Sequence, residues 1–295
     1  MSLELEHHYI ETNGIRLHTV QTGPKSGAPV ILLHGFPEFW YGWRKQIPAL
    51  AAAGCRVIAP DQRGYNLSDK PQGLKHYDVL TLVNDLLGLV KALDYEKVNL
   101  VGHDWGAVIA WALAILHPEK LHKLTIMNAP HPAVMQRFLR RDPDQLRRSW
   151  YVGFYQLPWL PERILSAQNF RQISRAVQGT AKKNSFTNED MEKYREAWSQ
   201  PGAMTTMLNW YRAIVQHPPK LPENARVKVR TLMMWGMKDF ALTHRMARPS
   251  MDFVDEGNLI LFPEATHWVH LDAAGEINHY LLDFLLDSIT RKVIK

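Results

Sequence analysis

The chain has 295 residues, 46% of them hydrophobic and 22% charged, enough to bury an α/β core and still carry an insertion of domain size. A single cysteine, Cys55, excludes an internal disulfide and favours a reducing compartment. The net charge of +6 is not gathered into a Lys/Arg run, so it reads as solvated surface rather than a nucleic-acid footprint.

The opening residues, Met1 to Glu6, lack the basic-then-apolar order of a secretory signal. No stretch reaches the roughly eighteen apolar residues needed to span a bilayer. A cytoplasmic protein is therefore expected. Tyr9 to Val20 alternates on both sides of Asn13-Gly14, the pattern of a hairpin. Val30 to Leu33 is a buried strand that ends in the turn His34-Gly35-Phe36-Pro37. Ile47 to Ala53 is helical up to Gly54, and Arg56 to Pro60 is the next strand, followed by Asp61-Gln62-Arg63-Gly64. Leu80 to Leu93 has helical periodicity. The strand Lys97 to Val101 then leads through Gly102-His103-Asp104-Trp105-Gly106 into the apolar helix Val108 to Leu116, and Lys123 to Met127 is another strand.

Alternation of strand and helix implies a mostly parallel sheet with helices on both faces. From 133 to 221 the strand-like runs give way to segments rich in Arg, Gln, Trp and Tyr. Helices are expected there from Gln145 onward and over Glu162–Phe170, Glu189–Trp198 and Ala203–Val215. The chain thus divides into a core of 1–132 with 222–295 and a helical lid of 133–221, inserted at the strand ends where α/β sheets bind ligands. The sheet resumes with Val229–Trp235 and Asn258–Phe262, with a helix near Arg245–Phe253 between them. Gly275–Ile289 is expected to close the chain as a helix.

Three acid–base residues fall at strand ends in the order Asp104, Asp239, His267. Nucleophile, acid, histidine is the order found in α/β-hydrolase triads, and small-x-Asp-x-small matches the nucleophile elbow with Asp in place of Ser. The competing reading makes Asp104 an N-cap of the following helix. A carboxylate is ionised at neutral pH without a base, and its attack on a saturated carbon yields an ester that water can cleave. A serine would give an inert ether. His267 is then available to activate water, with Asp239 orienting it, and the N–H groups of Phe36 and Trp105 are the expected oxyanion donors.

Two leaving groups remain open. Halide calls for a weak donor such as the Trp105 indole; an epoxide oxygen calls for a phenol, and the lid contains Tyr151, Tyr155, Tyr194 and Tyr211. Each tyrosine taken alone reads more readily as lid packing than as a proton donor. His103 reads as a packed neighbour of the elbow. The spacing of His267 and His270 could suit a metal, but no carboxylate or cysteine partners accompany it, so none is expected. Arg137, Arg140, Arg141, Arg147 and Arg148 read as a solvated face.

The motifs His34-Gly35-Phe36-Pro37-Glu38, Asp61-Gln62-Arg63-Gly64-Tyr65, Gly102-His103-Asp104-Trp105-Gly106-Ala107, Gly236-Met237-Lys238-Asp239-Phe240 and Thr266-His267-Trp268 resemble those of epoxide hydrolases of the α/β-hydrolase fold. The resemblance covers nearly the whole chain, with no departure at the triad. It extends to Tyr151–Pro161 and Leu208–Arg212, which resemble the two segments carrying the paired tyrosines of the family. It implies Tyr151 and Tyr211 as proton donors, with Tyr155 a rival one helical turn on. It further implies substrate contacts from Phe36, Pro37, Trp105, Tyr155, Trp210 and Trp268, a small-molecule epoxide and water as reactants, and no cofactor. A haloalkane or haloacid dehalogenase using the same triad is the alternative, and a non-catalytic binding protein of this fold a more distant one. The sequence carries no signal for an oligomeric state.

Overall fold

The computed structural model describes residues 4–222 and 225–287. Its strands are β1 (Glu6–Thr12), β2 (Ile15–Thr22), β3 (Pro29–Leu33), β4 (Arg56–Pro60), β5 (Val98–His103), β6 (Leu121–Met127), β7 (Thr231–Gly236) and β8 (Gly257–Phe262). They form one sheet in the order β1-β2-β4-β3-β5-β6-β7-β8. The β1–β2 and β2–β4 pairs are antiparallel and every other pair is parallel. The β1–β2 hairpin turns on Asn13 and Gly14, both at positive φ, which Asn and Gly tolerate best.

The central strands are buried on both faces, as a parallel sheet covered by helices requires. Their alternating side chains divide the core in two. Ile31, Leu33, Ile58 and Leu100 pack on one side with α2 (Val79–Ala92) and α3 (Trp105–Leu116). Val30, Leu32, Val57 and Val101 pack on the other with α1 (Gln46–Ala52) and the closing helix α12 (Ala274–Leu286). The short helices α10 (Ala247–Met251) and α11 (Val269–Asp272) flank β8. The expected end of the closing helix, Ile289, lies outside the described residues.

Between β6 and β7 the chain forms α4 (Pro132–Arg141), α5 (Pro143–Arg148), α6 (Trp150–Tyr155), α7 (Leu160–Thr180), α8 (Asn188–Ser199) and α9 (Ala203–Gln216), with no strand among the described residues. Helix α4, which the expected helices do not include, buries Val134 and packs Met135 and Phe138 of the same face against the core. Helix α7 runs ten residues beyond Phe170, where the sequence pattern had ended it. It does so across a break: Gln168, Asn169 and Phe170 adopt left-handed backbone conformations. No helix among the described residues is long and apolar enough to cross a membrane.

Candidate active site

Asp104 occupies the turn between β5 and α3 at φ 51°, ψ −120°, a strained backbone position for a residue with a side chain. The turn is tight enough to need its glycines. A Cβ on Gly106 would stand 2.1 Å from the Leu33 carbonyl oxygen, and one on Gly35 would stand 2.4 Å from Asp104 Oδ1. The Asp104 side chain makes no capping hydrogen bond to α3, which removes the N-cap alternative. Instead Oδ1 accepts a hydrogen bond from the Phe36 N–H at 2.8 Å, and Oδ2 faces His267 Nε2 at 3.5 Å.

On the other side of the ring, His267 Nδ1 lies 2.8 Å from Asp239 Oδ2. Asp239 is fully engaged. Its Oδ1 accepts from the N–H groups of Ala241 and Leu242, and its Oδ2 also accepts from Asn128 Nδ2 at 2.7 Å. Burial disfavours charge on His267, but the adjacent carboxylates of Asp239 and Asp104 outweigh it and hold the imidazole well above its ordinary range. Burial likewise opposes ionisation of Asp104. The His267 contact and the Phe36 N–H prevail, and its carboxyl lies below the usual range.

Over this edge the insertion brings three phenols together. The rings of Tyr151, Tyr155 and Tyr211 are mutually 4.9–5.9 Å apart between centroids, and Tyr211 also meets Phe36 at 5.2 Å and Trp105 at 5.0 Å. Burial, followed by the Asp104 charge, raises the Tyr151 and Tyr211 phenols well above their ordinary value, so both are protonated at neutral pH. The same causes raise Tyr155. Helix α6 supplies Tyr151 and Tyr155 one turn apart, and α9 supplies Tyr211. Gln156 Nε2 ties the two helices by donating to the Tyr211 carbonyl oxygen.

Other expected residues stand further back. Trp210 and Trp268 are buried, with their indole N–H groups donated to the Arg63 carbonyl oxygen and Thr180 Oγ1. Trp210 backs Trp105 and Trp268 backs His267, so both support the wall of the site. Pro37 faces the insertion through its carbonyl oxygen, which accepts from Trp198 Nε1. Among the described residues the Trp105 N–H makes no hydrogen bond to the Asp104 carboxylate, and the Phe36 N–H alone does so. Tyr194 is remote from the phenol group: it is fully buried and donates to Glu38 Oε1 at 3.0 Å.

Glu38 is the residue that sequence reasoning passed over, although it ends the His34–Glu38 motif. Its carboxylate is buried and bonds His103 Nδ1 at 3.0 Å and His270 Nε2 at 3.3 Å, while His103 Nε2 reaches the His267 carbonyl oxygen at 2.8 Å. Ligand-type atoms of Glu38, His103 and His270 thus lie within 4.8 Å of one another. The carboxylate partner of His270, invisible in the His267/His270 spacing, comes from a distant turn. Hydrogen bonds within the trio account for its packing, and His267 directs its own ring to Asp239 and Asp104.

The model for the alpha/beta hydrolase fold matches residues 28–274, and that fold, with a strand–turn–helix carboxylate facing an Asp–His pair, defines the class of protein. Among relatives, a Bacillus subtilis protein described as AB hydrolase superfamily protein YfhM is 44% identical, with 94% of this chain and 96% of that one covered. Epoxide hydrolase 4 of Homo sapiens is 36% identical over 96% of this chain and 79% of its own length. The solved structure of a Bacillus megaterium epoxide hydrolase variant, complexed with a naphthyloxy-propanediol product, superposes with a TM-score of 0.88 at 30% identity, covering 95% of this chain and 100% of that one. The chain therefore belongs to the epoxide hydrolases of the alpha/beta hydrolase fold family.

Proposed function

We propose that the protein converts an epoxide to a vicinal diol in two steps through a covalent Asp104 ester. The observation that carries this reading is the placement of two protonated phenols, Tyr151 and Tyr211, above a carboxylate with one oxygen held by the Phe36 N–H and the other facing His267. Because the Phe36 N–H fixes Oδ1, Oδ2 is the attacking atom. It forms a bond to a ring carbon while that carbon's bond to the ring oxygen breaks. Tyr151 and Tyr211 hydrogen-bond that oxygen, and one of them gives it a proton.

Ester formation removes the negative charge of Asp104, one of the causes that raise His267. The imidazole then gives its proton back to the phenolate left by ring opening and, held by Asp239, takes a proton from water. The water oxygen bonds to Asp104 Cγ, negative charge develops on Oδ1 against the Phe36 N–H, and the bond from Cγ to Oδ2 breaks. The departing diol oxygen takes the His267 proton, the Asp104 carboxyl passes the second water proton to His267, and one epoxide and one water have given one diol with the enzyme restored. The Trp105 N–H, the first of α3, lacks an intrahelical acceptor and is the second donor proposed for Oδ1.

In this reading residues 133–221 act as a lid that both encloses the substrate and supplies the acid, Tyr155 joins Phe36 and Trp105 in contacting the substrate, and Pro37, Trp210 and Trp268 shape the wall. The phenols favour this over halide displacement, which needs no proton donor. A single turnover in water enriched in heavy oxygen tests it. The diol is expected to carry the Asp104 oxygen and the protein to gain the label; heavy oxygen in the first diol formed rejects the ester. Release of halide from alkyl halides, with no diol from any epoxide, would establish the dehalogenase alternative.

A further inference from the structure

We propose that α8 of the insertion seats the loop that carries the oxyanion donor, with Trp198 and Tyr194 as positioning residues. The inference rests on the ester mechanism proposed above. Three consecutive residues of the loop point to three different partners. The Phe36 N–H holds Asp104 Oδ1 at 2.8 Å, the Pro37 carbonyl oxygen accepts from Trp198 Nε1 at 2.6 Å, and Glu38 Oε1 accepts from the Tyr194 hydroxyl at 3.0 Å.

Trp198 and Tyr194 lie one turn apart on the same face of α8, and both are essentially inaccessible to solvent. The helix is itself fixed to the core. Thr187 and Asp190 form a capping box at its start, and the Asp190 carboxylate is gripped by Arg44 Nε at 2.9 Å and the Tyr41 hydroxyl at 3.0 Å. A buried indole N–H and a buried phenol directed at the residues next to an oxyanion donor fix where that donor points.

The two chemical steps demand different things of this loop. In the first, Oδ1 loses charge as the carboxylate becomes an ester, so the Phe36 hydrogen bond contributes orientation. In the second, full negative charge forms on Oδ1, and the same N–H is stronger in the transition state than before it. Loosening the loop from α8 therefore slows ester hydrolysis more than ester formation.

The test is Trp198→Phe, compared with the wild type on a styrene-type epoxide by rapid quench and intact-protein mass. The expected result is a fall in kcat of roughly ten- to a hundredfold, a parallel fall in KM, kcat/KM within about threefold of wild type, and a higher steady-state fraction of alkylated protein. Tyr194→Phe, which removes one oxygen, is expected to change the same quantities in the same direction by less. It carries the test if Trp198→Phe does not fold. A folded variant with wild-type kcat and ester fraction overturns the inference. So does a variant in which kcat/KM falls without ester accumulating, the signature of a structural role alone. If the wild type forms neither diol nor ester from any epoxide, the functional reading fails instead, and the two failures are distinct.

Discussion

At the sheet edge, Asp104, Asp239 and His267 are held by the backbone and by one another. Asp104 is confined by a strained turn, and both Asp239 oxygens are saturated by hydrogen bonds. In the insertion, Tyr151, Tyr155 and Tyr211 are held by ring packing on each other, on Phe36 and on Trp105, and no hydrogen bond contributes to the shifts of their hydroxyls. The contrast follows the work proposed for each. A nucleophile and its base need fixed directions, which short polar contacts supply. A proton donor to substrate needs a hydroxyl left uncommitted in a nonpolar wall, where burial keeps it protonated.

The sharpest way to break this comparison is Asp104→Ala. Turnover of a responsive epoxide is expected to fall by about ten-thousandfold or more, with no covalent adduct detectable by mass. Residual catalysis near the wild-type rate would take the nucleophile away from the sheet edge. Next in size is His267→Gln, which leaves attack possible but removes the base. Turnover is expected to drop by roughly a thousandfold while the adduct mass persists for many minutes. An adduct that clears as fast as in the wild type would relieve His267 of its proposed role.

On the insertion side, Tyr211→Phe is expected to slow ester formation by a factor of roughly a hundred to ten thousand, read in single-turnover rates. The same change at Tyr151 and at Tyr155, measured side by side, tells which α6 phenol acts. The larger loss is expected at Tyr151, the position that the resemblance to the family pairs with Tyr211.

The smallest effect concerns stability at the junction of the two regions. Burial lowers His131, which precedes α4, and His270, in the core, to about 4. In the unfolded chain both titrate near 6.5, so the unfolded state binds more protons between those values. Stability contributed by the neutral rings is present above about pH 6.5 and is lost as pH falls towards 4, at about 1.4 kcal/mol per pH unit for each group. His131→Asn keeps an N-cap acceptor for Ala133 N–H and is expected to make the unfolding free energy less steep in this window, as measured by urea titration at several pH values. An unchanged slope would assign the loss to other groups.

Legibility in the sequence followed the same divide. The elbow could be read because Gly102, Asp104 and Gly106 fall within five residues of one another, although the steric reason for Gly106 is the Leu33 carbonyl oxygen, from a strand 73 positions earlier. The strands could be read because a doubly covered parallel sheet demands short continuous apolar runs. The insertion was harder. Helix α4 is short and buries only Val134 fully, α7 continues past a left-handed break, and Tyr194 looked equivalent to the phenols from which it stands apart. Glu38 was visible only as the end of a motif, because its partners His103, Tyr194 and His270 lie 65, 156 and 232 positions away.

The sequence by itself determined the order of strands and helices in the sheet core, the carboxylate at the elbow, and the acid and histidine that follow it, since each depends largely on dihedral preferences and side-chain period within a short window. The tertiary structure alone decided which oxygen of Asp104 is held and which faces His267, which tyrosines gather above it, and how α8 grips the loop beneath. Those are distances between groups far apart in the chain, fixed by how helices pack on the sheet, and no local pattern encodes them.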